Sequence, residues 1–84
     1  MLDDLRKNID VIDKKLVELL AKRIEIVKKI GEFKKQNNLQ VLDKNRFNNV
    51  LERVKKTAIQ QGLSLDFVKE LYEIIHKYSC EVEK

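Results

Sequence analysis

Apolar residues recur in alternating steps of three and four along the first third of the chain. They run Leu2, Leu5, Ile9, Ile12, Leu16, Leu19, then Arg23, then Ile26, Ile30 and Phe33. That spacing is the period of an amphipathic helix with a coiled-coil-like seam. It predicts one helix that ends around Gln36 to Asn38, where two asparagines follow a lysine-rich last turn at the negative end of the helix dipole. At ~1.5 Å per residue such a helix spans roughly 50 Å. A compact chain of this size has a radius of gyration near ~12 Å and a diameter near ~30 Å. The helix therefore overhangs its own domain, and a second copy running alongside is the simplest cover for the protruding seam. An intertwined homodimer is expected.

Two shorter helices follow. Asp43 predicts an N-cap, and Lys44 to Gln61 carries Phe47, Val50, Leu51, Val54 and Ala58 on one face before Gly62, which suits a left-handed C-terminal cap. Ser64 predicts the next cap. From Leu65 onward the third helix is expected to turn Phe67, Leu71, Ile74, Ile75, Tyr78 and Val82 inward. A polar stripe, Tyr72, His76, Ser79 and Glu83, runs beside that apolar face.

Composition supports an all-α reading: of 84 residues none is proline, two are glycine, 43% are hydrophobic and 38% charged. This length makes one domain, residues 1–84, with no repeat, linker or low-complexity segment. A domain this small is only marginally stable alone, and one cysteine and one histidine supply neither a disulfide nor a zinc site. Oligomerisation, or unusually regular helix packing, is the remaining source of stability. The net charge of +4 is intermixed rather than blocked, which is modest for nucleic acid and suits an anionic small molecule. No apolar run is long enough to cross a membrane, the segment Met1 to Arg6 is acidic where a signal peptide would be basic, and a lone thiol fits a reducing compartment. A cytoplasmic protein is expected.

Arg23 is the residue that does not fit a structural seam. A guanidinium at a core position needs an acidic partner or an anionic guest, since burying it alone costs several kcal/mol. Both readings are open from the sequence. Arg6 and Lys34 share a flanking stripe with Asp13, Leu20 and Val27, yet lie ~42 Å apart along the helix and cannot serve one site in one chain. They are solvated surface cations, or they meet across an antiparallel dimer. His76 reads as a surface or packing residue and Cys80 as a small packing residue. With so few nucleophilic or metal-binding groups, hydrolytic chemistry has no support.

Taken in order, Leu5-Arg6 with Ile9 and Ile12-Asp13, Leu19-Leu20-Ala21-Lys22-Arg23, Ile30-Gly31-Glu32-Phe33-Lys34, Val41-Leu42-Asp43 with Arg46, and Ile74-Ile75 with Ser79 resemble the all-α chorismate mutase family. The resemblance covers nearly the whole chain. It implies a three-helix protomer in a dimer with two sites, each completed by the partner's first helix. By the same resemblance Arg23 and the partner's Arg6 bind substrate carboxylates, and Lys34 contacts a carboxylate and the ether oxygen. Arg46 is a further pocket arginine, Asp43 meets the substrate hydroxyl through its backbone, Ser79 lies near a carboxylate, and Glu83 stands where the family places Gln or Glu against the ether oxygen. No cofactor or metal is implied. A shikimate-pathway enzyme as docking partner is compatible with the resemblance.

The implied reaction, chorismate to prephenate, is an intramolecular [3,3] rearrangement in which charge builds on the ether oxygen. It calls for orientation and fixed cations rather than a nucleophile. An arginine fork suits carboxylates and a lysine point charge suits the ether oxygen. A protonated Glu83 could donate to that oxygen whereas an ionised one would repel it, so activity is expected to fall as pH rises. Phe47 departs from the pattern, because many members carry a glutamate there that accepts from the ring hydroxyl. Isochorismate-pyruvate lyases share the fold and also lack that glutamate, which makes lyase activity the nearest alternative. A non-catalytic helical dimerisation module is the more distant one.

Overall fold

A computed structural model describes all residues 1–84 as three helices, α1 (Leu2–Gln36), α2 (Lys44–Gln61) and α3 (Leu65–Glu83). The ends are chemically marked. After α1 the chain reverses at Asn38, whose φ of 55° is in the left-handed region that asparagine tolerates, and Leu39 N donates to Lys34 O at 2.8 Å. Asp43 caps α2 by accepting from Arg46 N at 2.9 Å. Gly62 closes α2 at φ 73°, with Leu63 N donating back to Ala58 O at 2.8 Å in the pattern of a Schellman motif. Ser64 Oγ accepts from Phe67 N at 3.2 Å and starts α3.

α3 packs against both α1 and α2, whereas α1 and α2 do not meet. The protomer core is accordingly thin: Val27 from α1, Leu51 and Ala58 from α2 and Val68 from α3 are its buried apolar residues. The expected face of α2 is the one that packs. Along α3 the expectation needs correction. Phe67, Leu71, Ile74 and Tyr78 are exposed, and the side turned inward carries Val68, Tyr72, Ile75, His76, Ser79 and Glu83. The polar stripe thus faces the protomer interior, because α3 must present it to the cavity formed with α1 and α2. Its most apolar strip is left over.

α1 is as long as its pattern requires, and the molecule measures 55 × 23 × 16 Å with a radius of gyration of 15.7 Å. That is well above the ~12 Å of a compact chain this size. Within one chain the apolar seam residues from Leu2 to Phe33 stay exposed, Arg23 among them is half-buried, and only the flanking positions Val27 and Gly31 of α1 are buried.

Candidate active site

The carboxyl-terminal third of α1 meets the end of α3 at Gly31. A Cβ there would lie 2.8 Å from Glu83 Cα and 2.9 Å from Glu83 O, so the two backbones touch where no side chain intervenes. This contact brings Lys34, one turn further along α1, onto Glu83. The Lys34 ammonium sits 2.6 Å from Glu83 Oε1 and donates to Val41 O at 2.8 Å, with both side chains largely buried. The carboxylate oxygen is within ionic contact but off the hydrogen-bond direction, so Oε1 is buried without an aligned donor. Near the other end of the same groove, Arg23 donates to Ser79 Oγ at 3.0 Å. The seam arginine therefore finds a neutral hydroxyl and no acid. Its charge is directed at the groove.

Between these two pairs lies a cavity of about 230 Å³. α1 supplies Arg23, Ile26, Val27, Ile30 and Lys34; the connector supplies Val41 and Asp43; α2 supplies Arg46, Phe47 and Val50; and α3 supplies Tyr72, His76, Ser79 and Glu83. Spacings of three and four residues on each helix put these side chains on one side of it. Three cations against two carboxylates leave the lining at 3 − 2 = +1. Both acids are engaged, Asp43 with the first turn of α2 and Glu83 with Lys34. An entering anion would meet Arg23, half-buried, and Arg46, at the exposed rim, both free of acidic partners and able to form charge-assisted bonds.

Of the sequence-predicted residues, Arg23, Lys34, Asp43, Arg46, Ser79 and Glu83 come together around this one cavity. Arg6 does not. It is exposed near the far end of α1, about 25 Å along the helix from Arg23. Phe47, which stands where many family members carry a glutamate, and His76, expected as a surface or packing residue, are also in the wall. Phe47 and His76 stack with ring centroids 4.1 Å apart and planes 21° from parallel. Their neighbour Cys80 has its thiol pushed up from the ordinary value by burial and by the Glu83 charge, against a smaller lowering by Lys34 and Lys84. The signal for His76 was its place on the polar stripe; what the sequence did not reveal is that the stripe turns inward.

A three-helix scaffold with a small, net-cationic groove between its first and last helices is an arrangement suited to compact anions. The comparisons place it more closely. Chorismate mutase type II matches residues 5–84, and the chain belongs to that family. Over 83 residues it is 25% identical to the chorismate mutase of Methanocaldococcus jannaschii, covering 99% of this chain and 84% of that protein. Over 82 residues it is 28% identical to the 4-amino-4-deoxychorismate mutase of Streptomyces venezuelae, covering 98% and 80%. A bifunctional chorismate mutase/prephenate dehydratase of Buchnera aphidicola is 33% identical over 79 residues, 94% of this chain, and the chain spans only 20% of that relative's length.

Proposed function

We propose that residues 1–84 form a single chorismate mutase domain that rearranges chorismate to prephenate in the cytoplasm, as a homodimer whose partner supplies Arg6. The observation that carries this reading is the convergence of Arg23, Lys34 and Arg46 on one cavity. A doubly charged guest needs at least two cationic anchors, and a non-covalent rearrangement needs fixed charge where negative charge develops. Arg23 and Arg46 take the carboxylates, Lys34 and Glu83 flank the ether oxygen, Ser79 holds the Arg23 fork in place, and the Asp43 backbone lies beside the ring hydroxyl. Membership of the family supports this chemistry. A bare helical dimerisation module would have no use for a net-cationic cavity with two unpaired guanidiniums. The bifunctional relative makes a shikimate-pathway enzyme the partner to look for.

The experiment follows chorismate loss spectroscopically and identifies the product. Prephenate is expected. Salicylate and pyruvate from isochorismate would favour the lyase reading, for which the aromatic Phe47 wall is the supporting observation. No turnover of any of these compounds by the folded dimer would overturn both.

A further inference from the structure

His76 lines the cavity one turn before Ser79, half-buried, with its ring held flat against Phe47. The Cys80 sulfur lies 3.6 Å from Nε2 and 3.9 Å from Nδ1, and sulfur is a weak partner. Neither ring nitrogen reaches an oxygen or nitrogen of the protein. A clamped imidazole with unspent hydrogen-bonding capacity in a cavity wall is an arrangement that invites a polar group of a guest. It faces charged groups from every element around it: Arg23 and Lys34 on α1, Asp43 on the connector, Arg46 on α2 and Glu83 on its own helix.

We propose that His76 is a specificity-determining residue that hydrogen-bonds the ring hydroxyl of the substrate and so selects a hydroxyl over an amino substituent. The inference rests on the function proposed above. The guest's carboxylates are claimed by the cations, and the imidazole has hydrogen-bonding capacity to spare in the wall for the ring substituent beside the Asp43 backbone. An imidazole can accept from a hydroxyl or donate to it. An ammonium in the same place would add positive charge to a lining already at 3 − 2 = +1, whose two acids are both engaged. It finds no free carboxylate. The Phe47 stack restrains the plane of the imidazole, and a restrained ring loses less entropy on making the bond.

The test compares kcat/KM for wild type, His76→Leu and His76→Asn on chorismate, on its analogue lacking the ring hydroxyl, and on 4-amino-4-deoxychorismate. Wild type should prefer chorismate to the amino compound. His76→Leu should lose on the order of fivefold on chorismate, the worth of one neutral hydrogen bond. On the analogue without a hydroxyl it should match wild type, and His76→Asn should recover part of the loss. Equal losses on chorismate and on the hydroxyl-free analogue would mark His76 as packing only and overturn the inference while leaving the proposed function standing. Should the leucine variant fail to fold, the asparagine variant and the wild-type preference decide: a preference for the amino substrate overturns the inference. Turnover of none of the compounds by wild type would overturn the proposed function and this inference together.

Discussion

Lys34 is where the most chemistry depends on one side chain. Its ammonium touches Glu83 and Val41 in the cavity wall, and in the proposed reaction it is the group that meets the ether oxygen. Removing one preorganised donor of developing charge costs on the order of 10²–10³ in kcat. Lys34→Ala should show that loss in kcat, and Arg23→Ala, which removes a carboxylate anchor, should show its loss in kcat/KM, each measured by steady-state turnover of chorismate against a wild type of equal helicity. Glu83 carries a different expectation. Glu83→Gln replaces the carboxylate by an amide that can donate to the ether oxygen without a charge, so it should keep or raise kcat/KM, whereas Glu83→Leu, which cannot donate, should lose on the order of tenfold. Equal kcat/KM for the three proteins would remove Glu83 from the mechanism. Cys80 reports on the same charges without entering the reaction. Burial first, and the Glu83 carboxylate second, hold its thiol above the ordinary value. The neutral thiol is thus favoured in the fold and its reactive thiolate appears only at higher pH. Alkylation of the native protein should have a midpoint above that of a free cysteine, and Glu83→Gln should bring it down.

The helices were legible because their ends are written in residue types that have few alternatives. Asp43, Ser64 and Gly62 each do at a helix end what their chemistry favours, and all three helices fall within the ranges that the apolar spacing predicts. Gly62→Ala puts a Cβ on a residue at φ 73°, where nothing crowds it and the cost is conformational, about 1 kcal/mol. A drop of a few degrees in Tm with unchanged kcat should register it. Gly31 is the opposite case, because the obstacle is the Glu83 backbone and not φ. Gly31→Ala must push the carboxyl-terminal turn of α3 away from α1, carrying Glu83 off Lys34, and a displacement of about 1 Å at the site is worth on the order of 10²-fold in rate. It should lower kcat/KM far more than it lowers Tm. The orientation of α3 was the part that spacing did not give. Phe67, Leu71, Ile74 and Tyr78 form the better apolar strip, and a reading by hydrophobicity turns it inward. The chain instead turns in the stripe with Ser79 and Glu83, whose polar atoms find Arg23 and Lys34 there. Periodicity identifies a face; which of two faces a neighbour takes depends on partners distant in sequence.

At the scale of the whole molecule, the single chain is an unfinished object. Seven of 84 residues are buried, too few for a core that stands by itself, and Leu5, Ile9, Ile12, Leu16, Leu19, Phe67 and Ile74 all face outward. A second chain laid antiparallel along α1 would cover the seam and bring its own Arg6 toward the cavity of the first, the one predicted site residue that the protomer leaves outside. Such sharing has a consequence that no monomeric arrangement can imitate. Arg6→Ala and Arg23→Ala homodimers should each be nearly inactive, since every site in them lacks one cation. Refolded together at equal amounts, half of the dimers combine the two chains. In each mixed dimer one site takes wild-type Arg6 from the Arg23→Ala chain and wild-type Arg23 from the other, while its second site lacks both. One intact site in two, in half of the dimers, restores about a quarter of wild-type activity by random pairing of equivalent subunits. Activity that stays at the sum of the two parents, in a mixture shown by mass to contain the mixed dimer, would place Arg6 outside the site; a monomer in sedimentation would remove the shared site altogether.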